Sequence, residues 1–429
     1  MSLIESSNST VDVVSFGCRL NAFEADAIRE QARAAGLDDI AVVNSCAVTS
    51  EAVAQARQTI RRLRRERPDR RIVVTGCAAQ TNPEMFAAIA VVDRVVGNDD
   101  KMRAASWQAT RAAFAQSDER RVGQDKIAVS DIMAVTALPR SSTAASARPR
   151  AYVQVQNGCD HRCTFCIIPF GRGNSRSIAI DAVVGDVRKL VEAGNTEIVL
   201  TGVDLTSYGA DLAGTATLGQ LVRTVLREVP ELKRLRLSSI DSVEVDSDLL
   251  DVVATESRLM PHLHLSLQSG DDLILKRMKR RHSRTDSIAF CAQLRRLRPD
   301  VTFGADLIAG FPTEDDDMFA RSLDLIAACD LTFVHAFPYS PRPGTPAARM
   351  PQVASRVIKD RARRLREAGE VSLRRRLAAE LGAERDVLVE SPTRGRTEHF
   401  IPVAIAGGTP GAVRRMTIAG HDGRQLFVA

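Results

Sequence analysis

Long apolar runs are missing from this sequence. No uninterrupted apolar stretch approaches the ~20 residues that a membrane-spanning helix needs, which excludes such helices. The first residues, MSLIESSNST, have neither an apolar core nor a cationic flank, so we expect no secretion signal and a cytoplasmic protein. No short-period repeat occurs, and the small polar run at 139–146 is the one stretch of linker-like composition.

The composition is that of a soluble globular protein, with 44% hydrophobic and 26% charged residues. At 429 residues, the length predicts two to four domains of ~100 to 200 residues each. The net charge of +6 comes mostly from arginine, clustered at 61–65 and 374–376. Arginine neutralises phosphate, so RNA is one explanation of this charge, and solvated helix faces are the other.

Strands and helices alternate over the first ~120 residues in the βαβ manner. Strands are predicted at 11–16, 40–44, 71–75 and 95–96, and helices at about 21–35, 50–65 and 101–116. This pattern predicts a parallel α/β domain of the Rossmann or flavodoxin type at 1–120. A linker is predicted at 121–148.

The alternation resumes after the linker and changes again near the C-terminus. Six strand–helix units predict a partial (β/α)6 barrel, similar to an incomplete TIM barrel, at 149–382, with its chemistry at the C-terminal strand ends. Short strands separated by glycines predict a small β-barrel at 383–429. The predicted barrel strands lie near Val153, Ile198, Leu235, Leu263, Ala305 and Val334.

Three cysteines follow the first predicted barrel strand in a CxxxCxxC pattern: Cys159, Cys163 and Cys166. Thiolates are the usual ligands of iron–sulfur clusters, and three of them leave one iron of a [4Fe-4S] cluster open. Zinc is the other metal that closely spaced cysteines commonly bind. His161 could then serve as its fourth ligand. The surrounding barrel pattern favours the cluster.

Three more cysteines each follow a strand of the first predicted domain: Cys18, Cys46 and Cys77. We expect them at the carboxyl edge of one parallel sheet, where open α/β sheets place ligands. Buried cysteines often serve only as small apolar residues, but the shared position favours a second [4Fe-4S] cluster with an open iron. Cys291 and Cys329 lie among apolar residues of helical segments and are predicted to be packing residues.

The loop at 158–166 resembles that of the radical S-adenosylmethionine superfamily. The contexts at 16–21, 44–49 and 75–80 resemble the N-terminal domain of the methylthiotransferase family, and the resemblance extends over nearly the whole chain. It implies that the first-domain cluster carries the sulfur, which one S-adenosylmethionine methylates. A second S-adenosylmethionine then supplies the radical that activates a carbon–hydrogen bond. An external electron donor and a sulfur source are also implied.

The resemblance also implies a cofactor pocket in the barrel. Phe165 matches an aromatic position that packs near the adenine of S-adenosylmethionine. Segments 200–204, 238–239, 266–269 and 304–308 place small or polar groups at predicted strand ends, where they could instead be turn residues. The expected pocket residues are Phe165, Gly202, Ser239, Gln268 and Asp306.

The segment from 384 to 429 resembles the RNA-binding TRAM module. Small β-barrels can bind RNA through basic loops and exposed aromatic residues. The alternative is a solvated barrel that merely packs on the rest of the protein. The expected RNA contacts are Arg394, Arg396, Phe400, Arg414 and Arg415.

The substrate follows from the branch of the family that the sequence most resembles. The compact run at 170–177 and the segments at 200–203 and 16–21 resemble the threonylcarbamoyladenosine tRNA branch rather than the prenyladenosine tRNA or ribosomal-protein aspartate branches; Asp204 stands where asparagine is expected. We therefore predict methylthiolation of C2 of threonylcarbamoyladenosine at position 37, next to the anticodon of tRNA, by a monomer without a membrane partner. A non-catalytic iron–sulfur protein for electron transfer or sulfur storage that binds RNA is the alternative from another class.

Overall fold

The computed structural model describes residues 11–116, 126–139, 149–214 and 216–429. The chain divides into two compact units. The first consists of Met1–Ala144, Gln156–His161 and Cys166–Ser177, and the second of Ala145–Val155, Arg162–Phe165 and Ile178–Ala429. Among the described residues, no helix combines the length and the apolar character needed to cross a membrane.

The first unit contains a parallel sheet with the strand order β1-β2-β3-β4-β5. Its central strands are runs of valine and isoleucine buried on both faces, as helices on each side of a parallel sheet require. The strands are β1 (Val11–Ser15), β2 (Ile40–Ser45), β3 (Arg71–Gly76), β4 (Arg94–Val96) and β5 (Ile127–Ala128), and the helices are α1 (Arg19–Ala34), α2 (Ser50–Glu66), α3 (Cys77–Thr81), α4 (Pro83–Ala87), α5 (Ala104–Ala115) and α6 (Ile168–Arg172).

Two features of the first unit differ from the sequence-based expectation. Part of the predicted linker, 121–148, lies outside the described residues, but its described part contributes β5, which pairs with β4. A two-stranded antiparallel ladder joins β7 (Gln156–Asn157) to β8 (Arg176–Ser177) on either side of α6. Both strands have only two residues and carry no strand periodicity, so the sequence pattern did not reveal them.

The second unit contains six parallel strands in chain order. Sheets β10-β9-β6 and β11-β12-β13 are joined by parallel bridges Leu235↔Leu259 and Ile240↔Leu265. The predicted partial (β/α)6 barrel is therefore confirmed. Its strands are β6 (Arg150–Gln154), β9 (Glu197–Thr201), β10 (Arg234–Leu237), β11 (His262–Gln268), β12 (Thr302–Ala309) and β13 (Leu331–Pro338), and its helices are α7 (Ile180–Glu192), α8 (Leu218–Glu228), α9 (Ser247–Thr255), α10 (Asp272–Met278), α11 (Arg284–Leu297), α12 (Asp316–Ala328) and α13 (Ser355–Ala379).

Alternation along the barrel strands separates an apolar outer face from a polar interior. Leu263, Leu265 and Leu267 of β11 belong to the core cluster that includes Phe290 and Phe319 of the surrounding helices. Side chains of successive strand residues point to opposite faces, so His262 and His264 lie on the interior face. Cys291 and Cys329 are fully buried in the same outer core, consistent with a packing role.

The C-terminal segment forms a closed barrel with the order β14-β15-β16-β18-β17, which confirms the predicted small β-barrel. The strand at Pro402–Ala404 begins only after a turn, in which Phe400 adopts a φ of 68° and donates its backbone N–H to the Thr397 carbonyl. The strands are β14 (Glu384–Ser391), β15 (Arg394–Arg396), β16 (Pro402–Ala404), β17 (Val413–His421) and β18 (Leu426–Val428). The division into segments 1–120, 121–148, 149–382 and 383–429 stays a prediction.

Helix α13 packs on β13 at a glycine, which generates a stability prediction. A Cβ added at Gly369 would lie 2.7 Å from the Cβ of Val334. Alanine normally stabilises a helix interior by about 1 kcal/mol relative to glycine. We expect Gly369→Ala to lower the free energy of unfolding by about 1–3 kcal/mol instead, because of overpacking.

Urea unfolding followed by circular dichroism measures this effect. The matched control is Gly185→Ala in α7, where an added Cβ meets no described atom within 4 Å. This control should raise the free energy of unfolding by about 0.5–1 kcal/mol. An equal effect of the two substitutions would contradict the packing argument.

Candidate functional site

Three cysteines converge at the carboxyl edge of the first sheet. Cys18 caps the N-terminus of α1, Cys46 follows β2, and Cys77 begins α3 directly after β3. The three strands are neighbours in one parallel sheet, so their carboxyl ends meet at one edge. Gly17 has a φ of 95°, and an added Cβ would lie 2.7 Å from the Cys46 Sγ, which shows how closely the first two loops approach.

The thiols of this edge are strongly influenced by burial and by one another. Cys46 and Cys77 are buried, whereas Cys18 is exposed. Burial raises the pKa of Cys46 to about 12, and the charges of Cys77 and Cys18 contribute to the rise. Burial also raises the pKa of Cys77. A bound metal must therefore displace protons from these thiols, as thiolate-ligated metals generally do.

A cluster of buried charges lies at the same edge. Glu24 of α1 accepts a hydrogen bond from Lys101 Nζ at 2.6 Å and from Arg172 Nη1 at 2.8 Å. All three side chains are at most 1% exposed. Burial alone raises the pKa of Glu24, but Arg172 and Lys101 outweigh burial and lower it to about 2. The carboxylate is therefore ionised. Burial lowers the pKa of Lys101, and the charge of Glu24 opposes that shift. Lys101 Nζ donates to three oxygens, those of Glu24, Asn44 and Asn98, as an ammonium group does, so the charged trio carries one excess positive charge.

Two asparagines connect these charges to the cysteines. Asn98 donates to the Cys77 Sγ at 3.6 Å and to the Gly171 carbonyl at 2.6 Å, and it accepts a hydrogen bond from Lys101. Asn21 accepts a hydrogen bond from Arg172 at 2.5 Å, and its Oδ1 lies 3.8 Å from the Cys18 Sγ. The positive charge of Arg172 also lowers the pKa of both Cys46 and Cys77, against the larger effect of burial. The donor set and the local charge suit a thiolate-bound iron cluster.

The CxxxCxxC cysteines, Cys159, Cys163 and Cys166, are all half-buried. In the first unit, the backbone N–H of Cys159 donates to the Gly173 carbonyl at 3.1 Å. In the second unit, Arg280 Nη1 lies 3.9 Å from the Cys163 Sγ and Nη2 forms an ion pair with Asp241 at 2.6 Å. A guanidinium therefore lies beside one of the predicted cluster ligands.

Phe165 is anchored inside the second unit. Its neighbour Thr164 donates its backbone N–H to the Met278 carbonyl at 3.1 Å, at the end of α10. The Phe165 ring meets Phe311 edge-on, with centroids 6.4 Å apart, and joins an apolar cluster that includes Tyr339. The structure thus gives Phe165 a packing partner at the predicted pocket position, and its contact with a cofactor stays a prediction.

The other predicted pocket residues lie on four neighbouring barrel strands. Gly202 directly follows β9, Ser239 lies just beyond β10, and Gln268 ends β11 with a φ of 66°. Asp306 differs from expectation, because it lies within β12 rather than at its end. Its side chain accepts a hydrogen bond from His264 Nε2 at 2.9 Å, so it belongs to the barrel interior.

The predicted RNA contacts fall into two groups. Arg394, Arg414 and Arg415 are exposed. Phe400, however, stacks on His262 at 5.0 Å between centroids and lies under the guanidinium groups of Arg150, Arg236 and Arg396. Arg396 also donates to the Phe400 carbonyl. Phe400 therefore joins the C-terminal β-barrel to the N-terminal end of the (β/α)6 barrel, and Arg396 packs on Phe400 from within the C-terminal barrel.

Buried charges reinforce that junction. Glu197 is fully buried and forms ion pairs with Arg150, Arg234 and Arg236. These arginines also reach the C-terminal barrel: Arg150 pairs with Glu390 at 2.7 Å, and Arg236 donates to the Thr397 carbonyl at 3.1 Å. The N-terminal end of the barrel is closed by these contacts, which leaves the opposite end for chemistry.

Two segments of the chain match known protein families. Residues 153–326 match the radical SAM superfamily, and residues 10–97 match the uncharacterised protein family UPF0004. The chain is 48% identical to threonylcarbamoyladenosine tRNA methylthiotransferase MtaB of Rickettsia prowazekii, over 94% of this chain and 93% of that protein. The chain belongs to the radical S-adenosylmethionine methylthiotransferase family. It is therefore an enzyme that inserts sulfur, and [4Fe-4S] clusters and S-adenosylmethionine are its cofactors.

Two further relatives also match most of the chain, and a solved structure shares its fold. MtaB of Aquifex aeolicus is 33% identical over 91% of this chain and 95% of that protein. A tRNA-2-methylthio-N(6)-dimethylallyladenosine synthase of Sorangium cellulosum is also 33% identical, over 96% of this chain and 87% of that protein. The radical S-adenosylmethionine methyltransferase TsrM of Kitasatospora setae shares the fold, with a TM-score of 0.54, 15% identity and coverage of 79% of this chain and 77% of that one.

Sequence reasoning missed several residues of the site in this family member. Arg172, Lys101 and Asn98 surround the cysteines of the first unit, and Arg280 lies beside Cys163. The sequence pattern did not reveal these residues, because a single arginine or lysine cannot be distinguished by sequence from a charged residue on the solvent-exposed surface. Glu24 was visible only as part of the sequence context of Cys18.

The buried charge cluster generates a second prediction. Glu24→Gln keeps the size of the side chain but leaves the Arg172 and Lys101 cations buried without its carboxylate. We expect the first unit to lose about 3–5 kcal/mol of unfolding free energy. Urea unfolding followed by fluorescence measures this loss, because the single tryptophan, Trp107, is fully buried in the core of that unit.

Asp26→Asn in the same helix is the matched control. Its side chain is 32% exposed and pairs with Arg29, so we expect a loss of about 0–1 kcal/mol. A loss for Glu24→Gln no larger than that of the control would show that the cluster does not depend on the Glu24 charge.

Proposed function

We propose that this protein transfers a methylthio group to C2 of threonylcarbamoyladenosine at position 37, next to the anticodon of tRNA. The 48% identity to the threonylcarbamoyladenosine tRNA methylthiotransferase MtaB of Rickettsia prowazekii supports this substrate. Each turnover uses two S-adenosylmethionine molecules, one as methyl donor and one as radical source. The enzyme acts as a cytoplasmic monomer and requires an external electron donor and a sulfur source.

This proposal rests on one observation: three cysteines of the first unit meet at one sheet edge, where the buried Arg172 and Lys101 also lie. We assign Cys18, Cys46 and Cys77 to an auxiliary [4Fe-4S] cluster, and Cys159, Cys163 and Cys166 to the radical-forming [4Fe-4S] cluster. Three thiolates on each cluster leave one iron for a sulfur or for S-adenosylmethionine. Two such triads in one chain match a reaction that needs both a radical and a sulfur donor.

The chemistry of the substrate carbon requires this combination. C2 of an adenine offers neither an acidic proton nor a leaving group, so polar substitution is disfavoured. When bound, the two clusters supply an electron for cleavage of S-adenosylmethionine and a sulfur for the product. The residues of the chain must then orient the reactants and exclude water.

Arg172, Lys101 and Glu24 provide electrostatic support for the auxiliary cysteines. A [4Fe-4S]2+ cluster on three thiolates carries one excess negative charge, and the buried trio carries one excess positive charge. Fixed charges act strongly in such a buried site, because little water screens them. The trio therefore favours anionic sulfur at this edge of the sheet.

We assign the cofactor pocket of the barrel to Phe165, Gly202, Ser239, Gln268 and Asp306. Four of these lie on or just beyond neighbouring strands, and Phe165 stands two residues after Cys163. For tRNA, the exposed Arg394, Arg414 and Arg415 are the proposed contacts, because arginine pairs with phosphate. Arg396 and Phe400 are half-buried and contact each other, and we propose them as the less accessible members of the same RNA-binding surface.

The two cysteine triads have separable roles, which generates a third prediction. Cys163→Ala should abolish 5′-deoxyadenosine formation, because this cluster delivers the electron. Cys46→Ala should retain 5′-deoxyadenosine formation and lose the methylthio product. Chromatography of anaerobically reconstituted protein with S-adenosylmethionine, dithionite and a tRNA anticodon stem-loop measures both products.

Cys291→Ala is the matched control, because Cys291 is a fully buried core residue. It should retain both products. Methylthio product from the Cys46 variant, or 5′-deoxyadenosine from the Cys163 variant, would refute the assignment. Absence of 5′-deoxyadenosine in the unaltered protein would favour the non-catalytic iron–sulfur alternative.

Deletion of the gene tests the substrate, because the Sorangium cellulosum relative carries a prenyladenosine name. We expect 2-methylthio-threonylcarbamoyladenosine to disappear from total tRNA and its unmodified precursor to accumulate, as measured by nucleoside mass spectrometry. Expression of the intact chain should restore the mark. Loss of the prenylated methylthio nucleoside instead would assign the chain to the prenyladenosine branch, and loss of neither would point to the ribosomal-protein aspartate branch.

A further inference from the structure

The barrel interior beside β11, β12 and β13 is arranged in layers. At its N-terminal end, His262 and Phe333 pack against each other with centroids 5.4 Å apart, and Phe400 covers His262. Towards the other end, Ile308 and Phe337 join the apolar cluster that contains Phe165. Between these apolar layers lie His264, Asp306 and His335. A polar layer, which includes the proposed pocket residue Asp306, therefore lies between the closed end of the barrel and the apolar cluster that contains Phe165.

The polar layer is held together by contacts among its three side chains. His264 Nε2 lies 2.9 Å from Asp306 Oδ1, and His335 Nδ1 lies 3.4 Å from the same oxygen. The two imidazole rings are 4.8 Å apart, at an angle of 37°. Gly304 pairs with His264 across the strands, and an added Cβ there would lie 2.7 Å from the His264 ring. The strand register and this glycine thus fix the His264 ring.

The three side chains differ in their access to solvent. His264 is 7% exposed, Asp306 is 26% exposed, and His335 is 56% exposed. His335 lies on β13, which ends the strand order of its sheet. A ligand that enters the barrel from this open edge meets His335 before the other two. The pair of His264 and Asp306 therefore orients a histidine that is more accessible than either of them.

We propose that His335 is a specificity-determining residue that binds the carboxylate of the threonylcarbamoyl group. The proposal rests on the substrate proposed above. Asp306 holds Nδ1 of the ring, so Nε2, on the other side of the imidazole, faces the substrate. With a proton on each ring nitrogen, one imidazole donates to Asp306 through Nδ1 and to a substrate carboxylate through Nε2. Asp306 and His264 act as positioning residues.

This arrangement discriminates against an apolar substituent. A prenyl group offers no acceptor, so its binding would desolvate the His335 Nε2 and leave it unpaired. Both imidazole contacts engage Oδ1 of Asp306, so Oδ2 serves the cofactor contact proposed above. The polar layer thus explains how one barrel binds the shared cofactor and selects one modified adenosine.

Synthetic anticodon stem-loops that carry threonylcarbamoyladenosine or its methyl ester test this inference. The ester removes the charge and adds one methyl group, and any steric effect of that methyl group should persist in His335→Ala. A charge-assisted hydrogen bond contributes about 1.5–3 kcal/mol, so the unaltered enzyme should prefer the acid over the ester by about 10- to 150-fold in kcat/KM. His335→Ala should reduce this preference to about 1- to 3-fold. His335→Gln, which keeps a donor, should restore part of it.

The ratio of acid to ester is measured within each preparation, so partial misfolding of a variant cancels. His421→Ala in the C-terminal barrel is the matched control and should keep the full preference. An equal preference in the unaltered enzyme and in the His335 variants would overturn the inference. Stoichiometric binding of Zn2+ or Mn2+ that disappears in His335→Ala would also overturn it, because the three side chains would then be metal ligands. Failure of the unaltered enzyme on both stem-loops would instead contradict the proposed substrate.

Discussion

The ion pairs of Glu24 with Arg172 and Lys101 are the interaction on which the first unit depends. They join α1, the residues that precede α5, and the segment that begins at Cys166. Burying three ionised side chains is costly unless each finds a partner, and here the side-chain oxygens of Asn21 and Asn98 accept further hydrogen bonds from Arg172 and Lys101. The same side chains surround the three converging cysteines. Stability and electrostatic support of the sulfur site thus come from one network.

In the second unit, the main constraint is that one end of the partial barrel must be closed. Glu197 and its three arginine partners form a buried ion-pair cluster at the N-terminal end of the barrel. Phe400 of the C-terminal barrel packs against this cluster. An aromatic ring beneath several guanidinium groups gains cation–π attraction without an added negative charge. The C-terminal barrel therefore completes the fold of the catalytic barrel as well as offering exposed arginines. The polar layer around Asp306 lies above this closed end.

The sequence predicted the architecture well, because buried parallel strands leave a strong apolar signal. It also predicted that Cys18, Cys46 and Cys77 would share one sheet edge, since each follows a neighbouring strand. It could not predict that Arg172 pairs with Glu24, because 148 positions separate the two and no local pattern links them. It could not predict the contacts of Phe400 with His262, Arg150 and Arg236 either, because these partners lie on strands distant in sequence. His335 gave no signal, since its role depends on strand register.

The central claim is that this chain places both a sulfur and a methyl group on one adenosine. Its most direct test uses reconstituted protein, a threonylcarbamoyladenosine stem-loop and S-adenosylmethionine with a deuterated methyl group. Mass spectrometry of the product nucleoside should show a deuterated methyl group attached through a new sulfur, together with 5′-deoxyadenosine. A product that carries the deuterated methyl group without sulfur, or 5′-deoxyadenosine without any methylthio product, would contradict the account.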